Sequence, residues 1–269
     1  SVTVTASSTL GINNGDGFVS TDVGRLIRFQ GAPEAWDVGT TYAKAAVVLG
    51  SDDNIYTSLQ GGNIGHDPTT DNTGTYWQIS PNTVAWTWLR ITAFLTDQSV
   101  TATIEGDSPL QGTATISWQL GLYSDTTGWP SVGTYHEGRL WVAGRAEAFT
   151  NRVDGSFSND PFNFKPTADD GTISDANAVA AIFRAKENNV ILWMLSTDDG
   201  LMLGCQAGEW RIKASALDDP ISDTSIQARR VSTYGCADMQ PAQPGGQTVF
   251  VQRQQRRLLA HQQLTSNKY

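Results

Sequence analysis

Residues 129–144 read Trp-Pro-Ser-Val-Gly-Thr-Tyr-His-Glu-Gly-Arg-Leu-Trp-Val-Ala-Gly. Two short runs of alternating character, 132–135 and 139–143, flank His136-Glu137-Gly138. A three-residue, Gly-containing connection between such runs predicts a tight antiparallel β-hairpin. Pro130 forbids a helix running into the pair, and Gly144 ends the second run. The same theme repeats from here to residue 269, whereas the chain before it is differently composed. The hairpin therefore marks a threshold between two parts.

Composition agrees with a β chain full of turns. Charged residues make up 17%, Gly numbers 26 and Trp nine, and hydrophobic content is 39%. That profile predicts an all-β protein. No apolar run approaches the roughly 20 residues of a membrane helix, so no spanning segment is expected. No signal-peptide pattern opens the chain and no Met begins it, which suggests a processed or partial piece of a longer protein. Residues 1–224 hold 12 Lys and Arg against 26 Asp and Glu, a net −14, while 225–269 hold 6 basic residues against Asp238 alone, a net +5. A chain this acidic is a poor gripper of DNA, yet it suits a passage through which DNA slides without sticking. Cys205 and Cys236 read as two buried thiols rather than a disulfide, since a chain of this size needs no staple.

In the first part, 2–6 alternates as a strand and 11–17 is a Gly/Asn/Asp turn. A second strand follows Asp22-Val23-Gly24-Arg25, with Leu26, Arg28 and Gln30 on one face and Ile27 and Phe29 on the other. After an interruption, 86–94 and 99–104 supply two more. These pieces predict one small barrel or sandwich, 1–33 plus 82–112, whose sequence is split by an insertion at 34–81. Thr5-Ala6-Ser7 with Asp22-Val23-Gly24-Arg25-Leu26-Ile27 resembles a small β-barrel module that recurs in phage tail proteins. That module is similar to the first catalytic cysteine half-domain of ubiquitin-activating enzymes. The resemblance implies a structural module and no catalysis.

The insertion carries Trp36, Tyr42, Val47-Val48, Tyr56, Pro68, Tyr76 and Trp77 among polar residues and Gly. Trp36-Asp37-Val38-Gly39-Thr40-Thr41-Tyr42, Ile55-Tyr56-Thr57-Ser58, His66-Asp67-Pro68 and Tyr76-Trp77 resemble a small chitin-binding carbohydrate module. The resemblance implies a three-stranded mini-sheet held by aromatics, with Trp36, Tyr56, Tyr76 and Trp77 as candidate glycan-binding residues. Sugar C–H faces stack on aromatic rings, and Tyr56 and Tyr76 are the expected exposed stackers. The competing reading makes Trp36, Tyr42 and Trp77 the core of a segment with little else to bury.

The second part, 113–269, reads as short strands at 113–120, 152–156, 179–185, 189–196, 200–206, 209–214, 226–233, 247–252 and 256–262, with an aromatic turn at 160–164. Four antiparallel strands over 179–214 match one propeller blade, and the last three strands most of another. About 40 residues per blade gives three to four blades, so the propeller is read as incomplete. The order Trp129-Pro130, Arg139-Leu140-Trp141, Ser156 with Phe162-Asn163-Phe164, Leu201 with Gly208-Glu209-Trp210, and Tyr234-Gly235 with Val249-Phe250-Val251 resembles that of tail nozzle proteins of short-tailed bacteriophages, also called tail tubular protein B. The resemblance implies a virion protein of the phage tail that forms a homo-oligomeric ring, a hexamer. The ring would contact the tail adaptor and tail fibre proteins and pass double-stranded DNA during ejection. The alternative is a glycan-binding adhesion protein of the virion surface, acting through the insertion.

No catalytic constellation, metal site or cofactor motif is read, and the chain is expected not to be an enzyme. His66, His136 and His261 lack partners at metal-ligand spacing, and no nucleophile elbow or phosphate-binding loop is present. The pairs Asp52-Asp53, Asp169-Asp170, Asp198-Asp199 and Asp218-Asp219 sit where Asp caps turns between strands. Arg253, Arg256 and Arg257 flank a Gln-Gln turn and read either as a solvated edge guarded by charge or as a contact for DNA or an acidic neighbouring ring.

Overall fold

The computed structural model describes residues 1–31, 33–52, 54–71, 73–80, 86–106, 115, 117–144, 149–168, 171–183, 189–216 and 219–261. Asp53, Asp169, Asp170, Asp218, the turn at 186–188 and the beginning of the strand expected at 113–120 lie outside these residues. The protein is all-β, built from antiparallel sheets. Its chain divides into two compact units, 1–124 with 169–172, and 125–168 with 173–269.

In the first unit the strands are β1 (Val2–Thr5), β2 (Leu26–Gln30), β3 (Val47–Leu49), β4 (Ile55–Ser58), β5 (Trp77–Ile79), β6 (Trp86–Thr96), β7 (Ser99–Ile104) and β8 (Trp118–Leu120). Five of them form one sheet in the order β1-β7-β6-β2-β8. Alternation along β2 and β6 sends Ile27, Leu89 and Ile91 inward, where they pack with Ile12, Phe18, Val100 and Ala102. The other face of β2 is also covered. Arg28 lies 4.1 Å from the Trp86 ring centre and 5.4 Å from that of Trp88, and its Nε donates to Gln119 Oε1 at 2.8 Å. Two indole faces and an amide thus offset the desolvation of a buried cation. The boundary expected at 113 is corrected by β8, which pairs Ile27 with Leu120 and Phe29 with Trp118. Trp118 and Leu120 pack against the first sheet's core, so the chain stays in this sheet beyond residue 113.

Asp22-Val23-Gly24-Arg25 owes its form to a buried ion pair. Arg25 Nη1 donates to Asp22 Oδ1 at 2.8 Å and to Asn13 Oδ1 at 2.7 Å, and its Nε donates to the Gly121 carbonyl at 2.6 Å. Asp22 Oδ2 accepts from Asn13 Nδ2 and from the Val19 amide. This network ties the turns before β2 to the chain after β8. The motif is a structural clasp.

The second unit holds β9 (Val132–His136), β10 (Arg139–Ala143), β11 (Arg152–Gly155), β12 (Val179–Ile182), β13 (Ile191–Thr197), β14 (Gly200–Cys205), β15 (Gly208–Ala214), β16 (Ile226–Arg230), β17 (Thr248–Val251) and β18 (Leu258–His261). The hairpin at 129–144 forms as expected, but its loop is shorter. His136 pairs with Arg139, leaving Glu137 and Gly138 as a two-residue turn with φ of 48° and 70°. Two left-handed residues in succession match the right-handed strand twist, and glycine at the second keeps that conformation cheap.

The expected blade over 179–214 is regrouped. β12 pairs with β11 and closes the sheet β12-β11-β10-β9, while β16 pairs with β15 and closes β13-β14-β15-β16. Two four-stranded meanders and the β17–β18 hairpin replace the expected division. Alternation predicts a strand's faces but not which neighbour it joins, and Ala180 and Ala181 suit either edge. A core containing Trp141, Val153, Val179, Phe183, Leu201, Leu203 and Ile212 draws on both sheets. A second core joins Trp193, Met202, Cys236 and Phe250. There a Cβ on Gly204 would stand 1.9 Å from the Trp193 ring, so only glycine admits the indole.

Arg139 is 3% exposed and faces backbone oxygen. Its Nη1 donates to the carbonyls of Ser156 at 2.6 Å, Asn177 at 2.7 Å and Ala176 at 3.2 Å, and its Nη2 to that of Asp175. Burial lowers its pKa, opposed by the nearby Glu137 and Asp175 carboxylates. Trp141 is fully buried and donates to the His136 carbonyl at 3.1 Å. Arg139 thus anchors irregular backbone and Trp141 fills core. Arg139→Lys keeps the charge but loses the planar fork, orphaning buried carbonyls at about 1 kcal/mol or more each. A loss of about 2 kcal/mol or more in denaturant unfolding is expected.

Candidate functional site

The insertion forms the three-stranded sheet β3-β4-β5. Strands of three and four residues cannot stand alone, and aromatics supply the missing apolar contact. Val48, Tyr56 and Trp77 form the buried centre, with Trp36, Tyr42 and Tyr76 packed against it. Trp77 is 2% exposed, meets Tyr42 edge-on at 5.3 Å, and donates its Nε1–H to the His66 carbonyl at 2.7 Å. Tyr56, expected as an exposed stacker, is 7% exposed and donates its hydroxyl to Asp52 Oδ2 at 2.8 Å. That expectation is corrected. Position 56 alternates inward on the middle strand of the sheet, where both edges are covered.

Of the four candidate residues, Trp36 and Tyr76 are half-buried and retain solvent-facing surface. Tyr76 stacks on His66, with ring centres 3.3 Å apart and planes inclined by 13°. His66 is thus an aromatic partner that its isolated place in the sequence did not signal. The sheet brings all four candidates into one cluster, but Tyr56 and Trp77 are its interior. Only Trp36 and Tyr76 could lend area to a ligand.

Asp71 positions the pair Tyr76-Trp77. Its carboxylate accepts from the Tyr76 amide at 2.7 Å, the Trp77 amide at 2.8 Å, the Thr75 amide at 3.3 Å and the Thr73 hydroxyl at 2.8 Å. Burial pushes the carboxyl up, but the Trp77 and Tyr76 amides, followed by Thr73 and Thr75, outweigh it and hold the pKa at about 2. The Asp-x-Thr-Gly-Thr spacing is a turn pattern, which is the trace this role leaves in sequence.

Several other groups with chemical capacity take part in structural contacts. His136 bonds Ser196 through Nδ1 at 2.9 Å, and burial pushes its pKa down. Cys205 and Cys236 are free and buried, as expected, and burial pushes both thiol pKa values up, Cys236 to about 12. Buried thiols with raised pKa values are poor nucleophiles. Glu209 is buried against Ser232, and Asp199 pairs with Arg211. Asp52 accepts from the Asn54 amide, as turn chemistry requires. Among the described residues no cluster of His, Cys, Asp and Glu is arranged to hold a metal ion, and no helix is long and apolar enough to cross a membrane.

The motifs singled out between residues 129 and 251 divide between core and surface. Leu201, Trp210 and Phe250 are buried, Ser156 receives the Leu140 amide, and Gly235 packs against the Gln206 carbonyl. Trp129 is exposed, and Phe162 is 90% exposed. Comparison of the chain with protein-family models and with curated proteins finds no match.

Asp71 gives the cluster a pH signature. An unfolded aspartate titrates near about 3.9, so its contribution is complete above about pH 4 and fades as pH falls toward 2. Asp71→Asn should lower the melting temperature at pH 7. The difference from the parent protein should close between about pH 4 and 2 when melting is followed by tyrosine and tryptophan fluorescence.

Proposed function

We propose that the chain is a structural virion protein, a subunit of the tail nozzle ring of a short-tailed bacteriophage, without enzymatic activity. The observation that carries this reading is the succession of two four-stranded meanders, β9–β12 and β13–β16, whose first strands pack against each other. Propeller blades are four-stranded sheets set side by side around a central channel, and β17–β18 would begin a third. On this reading the sheet of β1, β2 and β6–β8 is the small barrel module and β3–β5 its inserted carbohydrate-module-like piece. Copies would form a ring, hexameric as in the family the sequence resembles, between the tail adaptor and the host, with fibres attached outside. A net charge of −9 suits a conduit, because phosphates meet no strong cationic trap during transit. Arg139, held by backbone carbonyls, and the two buried thiols favour a scaffold. Mass spectrometry and antibody-labelled electron microscopy of purified virions should find the chain in several copies at the distal tail. Its absence from virions would overturn the assignment.

A second role, glycan recognition by the insertion, is favoured by the partial exposure of Trp36 and Tyr76 over a closed aromatic core. Trp36→Ala and Tyr76→Ala should each weaken retention on immobilised chitin oligosaccharides about tenfold, equivalent to about 1.4 kcal/mol, with the module still folded. Tyr56→Ala and Trp77→Ala should unfold it instead. Equal retention by the parent and the first two variants would remove this role.

A further inference from the structure

The turn joining β17 to β18 presents charge that no carboxylate among the described residues neutralises. Its shape is set by backbone: the Gln252 amide bonds the Arg257 carbonyl at 3.0 Å, and the Gln255 amide bonds that of Gln252 at 2.7 Å. Its position is set by the preceding segment, through the Cys236–Gln252 bridge and the bond from the Arg253 amide to the Gly235 carbonyl at 3.0 Å. Arg253, Arg256 and Arg257 are exposed on this pinned turn. Among the described residues none of their guanidinium groups forms an ion pair, although the chain carries 27 Asp and Glu against 18 Lys and Arg. Beside them Tyr234 is 61% exposed and Leu258 is 73% exposed. Leu258 also begins β18, which pairs only with β17 among the described strands.

Arginine and tyrosine beside an exposed apolar side chain on a fixed backbone is the composition of an interface centre. A DNA duplex would use the three cations but leave Tyr234 and Leu258 uncovered, and would approach against the charge of the whole molecule. An acidic protein surface suits both parts of the patch. The chain itself carries carboxylates at its surface: Asp16, Glu34, Asp37, Asp97, Asp125 and Asp160 are all exposed.

We infer that the Arg253–Arg256–Arg257 turn, with Tyr234 and Leu258, docks onto the carboxylate-rich surface of a second copy of this chain. The contact is heterologous. Two such turns repel each other, so the patch cannot meet its own image across a two-fold axis, and a cationic patch on an acidic one propagates head to tail. Head-to-tail contacts close into a ring when the rotation per copy allows it, so this inference deepens the ring reading by naming the surface that would join its subunits.

Sedimentation velocity of the purified chain at about 50 mM and about 500 mM salt tests it, since screening shortens from beyond about 10 Å to well below it over that range. The parent protein should self-associate at low salt and weaken about tenfold or more at high salt. The variant R253Q/R256Q/R257Q should stay folded by circular dichroism and monomeric. R253E/R256E/R257E retains the acidic surface but not the docking turn, so mixing it with the parent should cap the assemblies and lower their mean mass. A parent chain monomeric at low salt, or a glutamine variant that associates like the parent, would overturn the inference. So would binding of a labelled 30-base-pair duplex lost in the glutamine variant without self-association, which would assign the patch to nucleic acid. Absence of the chain from virions would end the nozzle reading while leaving this contact intact, so the two can fail separately.

Discussion

The guanidinium of Arg139 sets the form of the second unit. From β10 it gathers the carbonyls of Ser156 and of Asp175 through Asn177, holding both ends of the long excursion between β11 and β12 against one hairpin. The carbonyls of Ser156 and Asn177 meet the guanidinium in buried contacts, so closing the excursion calls for a donor with several N–H groups there. With it closed, β12 is delivered to the free edge of β11, and Val179 enters the core beside Trp141 and Val153.

A different arrangement serves the same purpose in the first unit. Arg25 is also buried, but it is neutralised by Asp22 and shared with Asn13 and the Gly121 carbonyl. One buried arginine is balanced by a carboxylate, the other largely by backbone dipoles. In both, a charged group holds irregular chain that apolar packing alone would leave loose. This pattern, repeated in Asp71 beneath Tyr76 and Trp77, explains why a chain poor in charged residues places several of them inside. Their work is to position loops.

The aromatic residues separate according to local supply. The inserted sheet has three short strands and little aliphatic content, so Tyr56 and Trp77 become its interior and Trp36 and Tyr76 its margin. In the second unit aliphatic side chains of β13 and β14 share the core with Trp141, Phe183, Trp193, Trp210 and Phe250, while Trp129, Tyr234 and Phe162 stand at the surface.

The sequence by itself determined that the protein is all-β, where most strands run, and that a hairpin stands at 129–144, because strand alternation and turn residues are local properties. It also marked Asp52 as a turn residue and the cysteines as thiols. Tertiary structure alone decided that β8 joins the first sheet, that β12 belongs with β11, and that Tyr56 is interior while Tyr76 is not. The physical reason is common to these cases. Alternation specifies which side chains share a face of a strand, but the neighbour that pairs with its edge and the layer that covers its face come from residues far along the chain. The stacking of His66 on Tyr76 was hidden because it depends on how the loop between them returns in space, whereas the partners of Asp71 lie within six residues of it and left a turn pattern.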